Sequence, residues 1–196
     1  FRLTHLEKIR YKPISVKKIL REMKDISEVM IDLAYSAALF NNADLAREVM
    51  ELEERVDTLS YLLNMNAMIA ARDAGDAEAL ISILTVAAAT NEISDAAADI
   101  ATLSKLGIKP HKVVKEAFKR TEEIVKSFRI EANSKLNGLR IGDIERLGIY
   151  VDVIAIKRDV VWILNPKRDF RLRVGDTLVV RGNVESLEMF ERVCYV

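Results

Sequence analysis

The sequence predicts two domains of different fold class, an antiparallel helical bundle followed by a small α+β sandwich. Between Ser15 and Phe128 there are only two glycines and one proline, so long helices are expected there. After Phe128 the pattern changes, because two runs of β-branched residues each follow a glycine and each end in basic residues. The bundle is therefore predicted over residues 12–127 and the α+β domain over residues 128–196.

Four helices are expected in the bundle, and its few helix-breaking residues set their limits. They run from about Ser15 to Asn41, Asp44 to Asp73, Ala77 to Leu106, and Pro110 to Ser127. Ser15 is a good N-cap and Pro110 suits a first helical position, since proline lacks the N–H that would remain unpaired there. Short turns between long helices indicate antiparallel neighbours and an up-and-down topology.

Two apolar patterns predict how the bundle packs. Helix two carries a seam at alternating spacings of three and four residues, formed by Val49, Leu52, Val56, Leu59 and Leu63. Helix three carries many alanines and an aliphatic stripe at Ile83, Val86, Ile93 and Ile100. Small side chains let helix axes approach closely, so we predict that helix three is central and that this stripe is buried.

The α+β domain is predicted from shorter signals. An edge strand is expected over 129–132, a glycine turn and short helix over 136–146, strands over 151–157, 160–164 and 177–181, and a closing helix over 185–192. Arg158-Asp159 joins the second and third strands as a hairpin, and Gly175-Asp176 is a turn before the last strand. A domain of about 70 residues is marginal alone, and dimerisation would add buried area.

Composition excludes several classes of function. The chain has 30 basic and 30 acidic residues, with 12 and 10 of them after Phe128, so neither half has the charge of a nucleic-acid binder. A single cysteine, Cys194, excludes an internal disulfide and fits a reducing cytoplasm. No apolar run approaches the roughly 18 residues of a membrane span, and no signal peptide is visible. The chain starts at Phe1 without a methionine, so preceding residues are expected.

Three segments of the helical part resemble the PhoU family of helical bundles. They are Met30-Ile31-Asp32-Leu33-Ala34-Tyr35-Ser36-Ala37, Glu51-Leu52-Glu53-Glu54-Arg55-Val56-Asp57, and the run from Asn91 to Ala101. The resemblance covers residues 12–127, about one of the two three-helix repeats of a full PhoU. It implies acidic motifs of the form Glu/Asp-x-x-x-Asp that bind metal.

Glu53 and Asp57 fit the first of those motifs. In the second, Asn91 stands where an acid is expected, while Asp95 and Asp99 restore a carboxylate pair one turn later. Residues four apart share a helix face, and oxygen ligands suit Mg²⁺, Mn²⁺ or Fe. The alternative is that these acids lie on a solvated face and are neutralised by nearby basic residues.

The last third of the chain is similar to the TrkA C-terminal domain, also called RCK-C. The similarity rests on Ser134-Lys135-Leu136-Asn137-Gly138, on the run from Gly148 to Arg158, and on the run from Leu172 to Gly182. It implies a dimeric ligand-sensing module of potassium channels and transporters, with cyclic di-AMP as the ligand in some bacterial members. Ile154, Ile156, Lys157 and Arg158 are the expected ligand contacts, unless the two basic residues only end a hairpin.

The two resemblances together imply a cytosolic regulatory protein that is a homodimer, senses a small molecule or nucleotide, and controls a membrane potassium channel or cation transporter. It would be located in the cytoplasm, at the membrane only through that partner. One alternative is a metal-binding, PhoU-like regulator of phosphate transport or signalling. Another is a dimeric scaffold that assembles through the seam of helix two.

No catalytic residues are predicted. His5 and His111 have no nucleophile or carboxylate at useful spacing, and Cys194 has no histidine nearby. There is also no glycine-rich dinucleotide or phosphate loop, so control by NAD or ATP through such a loop is not supported.

Overall fold

A computed structural model describes residues 9–114 and 123–195. The first part contains three long helices, α1 (Val16–Phe40), α2 (Ala43–Ala70) and α3 (Ala74–Lys105). Each starts at a polar side chain that accepts hydrogen bonds from the first turn, namely Ser15, Asn42 and Asp73. α2 ends at Ala70, three residues before its expected end, and α3 begins three residues earlier than expected because Asp73 caps it, so the turn between them is shifted and not shortened.

The three helices pack around one apolar core, in which the predicted seam of α2 is central. Val49, Leu52, Val56, Leu59 and Leu63 are all at most 1% exposed. The seam therefore lies inside the bundle and offers no free surface to another chain. The alternative of a scaffold that assembles through these residues loses its structural basis.

The predicted burial of the aliphatic stripe on α3 is wrong for half of its members. Val86 is 53% and Ile93 is 45% exposed, while Ile83 and Ile100 are partly buried against the core. The residues that α3 buries are small, namely Ala87, Thr90, Ser94, Ala97, Ala98, Ala101 and Ser104. These side chains let α3 lie close to α1 and α2, so its bulkier residues lie on the outward face. α3 is therefore one of three helices packed around a shared core, and it is not a buried central helix.

The fourth predicted helix is wrong at its end, because residues 124–129 form strand β1 (Ile124–Arg129). Residues 112–114 are helical, and the stretch from 115 to 122 lies outside the described residues. Ile124, Val125 and Phe128 are β-branched or aromatic, which favours a strand, and a partner strand is available in β4. The strand expected over 129–132 is likewise wrong, since the edge strand ends at Arg129.

The C-terminal part is the expected α+β domain. It contains β1, a 3₁₀ helix (Ile141–Leu147), β2 (Asp152–Arg158), β3 (Val161–Leu164), β4 (Thr177–Gly182) and α4 (Val184–Cys194). The four strands form one antiparallel sheet in the order β1-β4-β2-β3, with a bulge in β2 between Val153 and Ala155. The predicted hairpin joins β2 to β3, with Asp159 in the left-handed conformation at its turn.

The two faces of this sheet pack against different parts of the chain. One face buries Phe128, Ile156, Leu178 and Val180 against Leu187 and Phe190 of α4. The opposite face places Val125, Ala155 and Val179 in the core of the helical bundle, with Trp162 and Leu164 packed against its edge. Alternation along each strand produces this division, since successive side chains point to opposite faces. The sheet therefore lies between its own helix and the bundle.

Within the described residues, no helix has the combination of length and hydropathy that a transmembrane span needs.

Candidate functional site

The strand that carries the predicted ligand residues lies at the junction between sheet and bundle. Lys157 extends from β2 towards α2, where its Nζ lies 2.8 Å from Glu48 Oε2 and 2.6 Å from Glu51 Oε2. The same ammonium lies 5.6 Å from the centre of the Trp162 ring. The side chain of Lys157 is only 17% exposed and that of Glu48 14%. Lys157 is therefore a largely buried cation held by two carboxylates of another domain.

The protonation state of Lys157 follows from these partners. Burial acts to lower the pKa of Lys157, but hydrogen bonds to Glu48 and Glu51 and their negative charges outweigh it, so the pKa is raised. The side chain is thus fully charged at neutral pH, and the contact is an ion pair.

Arg158 points to a different partner inside its own domain. Its Nε and Nη2 atoms each lie 2.7 Å from a carboxylate oxygen of Asp176, and Nη2 also donates to the carbonyl of Arg171 at 3.0 Å. The guanidinium lies 4.8 Å from the ring centre of Phe170. The Asp176 hydrogen bond is the main reason why the pKa of Arg158 is raised. Asp176, expected only to form a turn, is a buried partner for Arg158.

The two predicted apolar ligand contacts, Ile154 and Ile156, lie in different apolar cores. Ile154 is 6% exposed and belongs to the core shared with the bundle, whereas Ile156 is fully buried on the α4 side. The four predicted ligand residues are therefore neighbours in β2 but do not share a cavity. A ligand contact by Lys157 or Arg158 stays a prediction, and both cations are paired within the chain.

A second charged cluster lies at the other end of the β2–β4 pair. Arg181 Nη2 donates to Asp152 Oδ2 at 2.8 Å and Nη1 donates to Asp32 Oδ2 of α1 at 3.4 Å. Its Nε also lies 3.8 Å from Glu123 Oε2. Burial raises the pKa of Asp32, and the charges of Glu28 and Glu123 raise it further, while Arg181 opposes them. The guanidinium of Arg181 thus forms ion pairs with three carboxylates from three segments of the chain.

A cavity of about 360 Å³ opens beside Arg181. It is lined by Glu123, Glu145, Tyr150, Val151, Asp152, Arg181, Gly182 and Asn183. Three of these side chains are acidic and one is basic, so the cavity does not have the charge of an anion site.

Of the predicted metal residues, Asp57 of α2 and Asp95 of α3 lie close enough for their charges to interact. Burial raises the pKa of Asp95, and the charges of Asp57 and Asp99 raise it further, while a hydrogen bond from Asn91 opposes them. The Oδ1 atom of Asn91 is buried without a partner. In residues 9–114 and 123–195, no group of three or more His, Cys, Asp or Glu side chains is arranged to hold a metal ion. Metal binding at Glu53, Asp57, Asp95 and Asp99 stays a prediction.

Cys194 is buried, as expected for a thiol without a catalytic partner. Its Sγ lies 3.2 Å from the carbonyl oxygen of Arg129, and burial raises the pKa of Cys194 to about 11. The reactive thiolate is therefore scarce at neutral pH.

Comparison with known families assigns both parts of the chain. Residues 20–104 match the model of the PhoU domain, and residues 125–194 match the model of the TrkA-C domain. The chain carries a PhoU domain followed by a TrkA-C domain. Both resemblances read from the sequence are confirmed, and β1, which straddles the boundary predicted at residues 127 and 128, belongs to the sheet of the TrkA-C domain.

Solved structures give partial matches. The RCK C domain of the potassium transport protein KtrA, in complex with cyclic diadenosine monophosphate, is 28% identical over 41% of this chain and 93% of its own, with a TM-score of 0.32. The GsuK channel bound to NAD is 15% identical over 58% of this chain, with a TM-score of 0.33, and the GsuK RCK domain is 15% identical over 53%, with a TM-score of 0.32. The matches span only 21% and 24% of those two GsuK chains. No curated protein matches the chain significantly.

The residues that join the PhoU domain to the TrkA-C domain are those that sequence reasoning missed. Glu48, Glu51 and Asp32 lie on the helices, and their partners Lys157 and Arg181 lie more than 100 residues further on. An acid beside a buried seam and a base at a strand end were visible in the sequence. The pairing between them was not, because it depends on how the sheet docks.

Proposed function

We propose that this protein is a cytoplasmic regulatory subunit that controls potassium transport through a membrane channel or cation transporter. The observation that carries the proposal is the pairing in one chain of a PhoU domain with a TrkA-C domain. TrkA-C domains are the ligand-sensing modules of potassium channels and transporters. Both families are regulatory, so the protein acts by binding and not by catalysis.

The TrkA-C domain would sense a small molecule or nucleotide, and the bundle would pass the change to the transporter. Ile154, Ile156, Lys157 and Arg158 remain the proposed ligand contacts. Because Lys157 and Arg158 already pair with carboxylates, an anionic ligand must compete with those carboxylates. A ligand that binds one arrangement of the domains better than another shifts the population towards it.

A membrane pull-down followed by a flux assay tests this function. The tagged full-length chain is incubated with gently solubilised membranes of its source organism, and retained proteins are identified by mass spectrometry against an untagged control. Recovery of a potassium channel or cation transporter, whose rubidium flux in proteoliposomes then changes when the chain is added, supports the proposal. A recovered transporter whose flux is unaffected by the chain contradicts it.

A second candidate is a metal-dependent PhoU-type regulator of phosphate transport or signalling. The observation in its favour is the mutual repulsion of Asp57 and Asp95 beside the unpaired Oδ1 of Asn91. A bound cation such as Mn²⁺ would relieve that repulsion and give the amide oxygen a partner. Recovery of a phosphate transporter or sensor kinase in the pull-down, together with an Mn²⁺-dependent rise in melting temperature, would favour this function.

We further propose that the protein is a homodimer that pairs through the outward stripe of α3, which consists of the exposed residues Val86, Ala89, Ile93, Ala96 and Leu103 and the partly buried Ile100. These residues recur at spacings of three and four, which is the repeat of a helix-pairing seam. Large and small residues alternate in its centre, so an antiparallel copy would place Ile93 opposite Ala96 and Ala89 opposite Ile100. A self-complementary patch of this kind fits a two-fold interface.

A further inference from the structure

The TrkA-C domain meets the PhoU domain through one face of its sheet, and that face has a simple layout. In its centre lie the small apolar side chains of Val125, Ala155 and Val179, all buried in the bundle core. At its two ends lie the cations Lys157 and Arg181. The register explains this layout, because Lys157 pairs with Thr177 and Asp152 with Arg181 at opposite ends of the β2–β4 ladder.

The charges across this contact are segregated. The sheet supplies the cations Lys157 and Arg181, and the helices supply Glu48, Glu51 and Asp32. Such an arrangement favours docking of these two surfaces, since each cation of the sheet meets a carboxylate of the helices. Contacts between domains of one chain resemble transient interfaces, for which relative motion is the default expectation.

The two ends of the contact differ in burial. Lys157 and Glu48 are 17% and 14% exposed, whereas Arg181 and Asp32 are 39% and 37% exposed. Lys157 is therefore the cation whose pairing depends most on docking. It is also the residue of β2 that covers Trp162.

We propose that the PhoU domain is a removable cover on the sheet of the TrkA-C domain, held closed by the ion pairs of Lys157 with Glu48 and Glu51 together with the apolar contacts beside them. In the closed state the two carboxylates occupy Lys157, and helices cover the sheet face around it. In the open state each domain keeps its fold, but Lys157 and Trp162 become accessible to solvent. This cover depends on contacts within the chain and does not require a transporter.

Trp162 provides a direct readout, because it is the single tryptophan of the chain and packs against the bundle edge. In the full-length Glu48→Gln/Glu51→Gln variant, quenching of its fluorescence by neutral acrylamide is expected to rise about two-fold and its emission to shift to longer wavelength. Glu54→Gln is the matched control, since Glu54 is an exposed carboxylate of the same helix. Its quenching should equal that of the wild type.

Circular dichroism on each variant separates opening from unfolding. Increased quenching with unchanged helical signal supports the cover. Quenching equal to that of the wild type, with Lys157 deprived of both carboxylates, overturns it.

If the double variant loses helical structure, a salt titration of the wild-type chain tests the proposed cover instead. Glu51 is 45% exposed, so salt screens its pair with Lys157 more than the buried pair with Glu48, and raising sodium chloride should modestly increase acrylamide quenching of Trp162 without loss of helix. In Lys157→Met the apolar side chain has no charge to screen, and this salt dependence should be reduced. A wild-type chain whose Trp162 quenching is independent of salt also overturns the cover.

Discussion

Arg158 and Asp176 form a bidentate ion pair in which both N–O distances are 2.7 Å and the Asp176 side chain is 1% exposed. Asp176 also accepts a hydrogen bond from the backbone N–H of Arg173 at 2.8 Å. A single buried carboxylate thus connects the end of β2 to the turn before β4. The turn residue read from the sequence is an internal anchor of the TrkA-C domain.

Asp176→Asn is expected to destabilise the chain by about 3 kcal/mol, because an amide cannot balance the charge of Arg158. Urea unfolding followed by circular dichroism measures the loss. Asp159→Asn is the control, since Asp159 is exposed at the hairpin turn and asparagine tolerates its left-handed backbone. That change should stay within about 0.5 kcal/mol. Equal losses of unfolding free energy in the two variants would mean that the buried ion pair of Asp176 does not stabilise the chain more than an exposed turn residue does.

Local signals explain how much of this fold could be read from the sequence. The caps Ser15, Asn42 and Asp73 act within one helical turn, so the limits of the helices were predictable to within a few residues. The hairpin of β2 and β3 is also local, because its two strands are joined by the turn at Asp159. Such features need no knowledge of distant partners.

Features that depend on distant partners could not be read in this way. The sequence predicts a helix as far as Ser127, but residues 124–129 form β1, because their partner β4 lies some 50 residues later in the chain. The periodicity of α3 predicts that Val86 and Ile93 are buried, but both are exposed, because apolar periodicity does not say which face a neighbour covers. Lys157 was predicted as a ligand contact from its place at a strand end, but its pairing with Glu48 joins residues 109 apart in sequence.

Asp95 gives a test of the repulsion between α2 and α3. Its pKa is raised by burial and by the charges of Asp57 and Asp99, so the stability linked to its protonated form is lost as pH rises above the ordinary value of 3.8. Asp95→Asn should therefore be slightly more stable than the wild type at pH 7, by less than about 0.5 kcal/mol because the site is exposed. Chemical unfolding at pH 4 and pH 7 should show a smaller pH dependence in the variant.

The same variant tests the predicted metal site. If Asp95 binds a cation, Mn²⁺ raises the melting temperature of the wild type but has a smaller effect on Asp95→Asn. Asp76→Asn provides a control at an acid of α3 that belongs to its first turn, away from the predicted site. Equal responses of the wild type and Asp95→Asn to Mn²⁺ would count against a metal role for this residue.

Ile93→Glu tests the proposed homodimer. Ile93 is 45% exposed at the centre of the α3 stripe, so a charge there should cost the monomer less than about 0.5 kcal/mol. In a dimer the same glutamate would be buried without a partner, which would shift the protein to monomer. Sedimentation velocity at micromolar concentration measures the change. Ala88→Glu, at an exposed position of α3 outside the stripe, should leave the dimer intact; a wild-type monomer would refute the proposal.

Arg181→Met tests how much the ion pairs between Arg181 and its three carboxylate partners stabilise the chain. Without Arg181, the acids Asp32, Asp152 and Glu123 repel one another at the junction, and we expect a loss of about 1–2 kcal/mol at pH 7. The pKa of Asp32 is already raised by burial, and Arg181 is the cation that opposes this shift.

The stability deficit of Arg181→Met should depend on pH, and the direction of that dependence follows from the pKa of Asp32. A carboxyl whose pKa is raised by folding contributes stability below its unfolded pKa and loses it as pH rises through the folded value. Removing Arg181 raises the pKa of Asp32 further, so the deficit of Arg181→Met should shrink as pH falls from 7 towards 4. Arg146→Met is the control, since Arg146 is 82% exposed and pairs with Asp143 in its own turn. Urea unfolding of both variants at pH 5 and pH 7 measures the difference, and a deficit that is the same at the two pH values would show that Arg181 acts by packing alone.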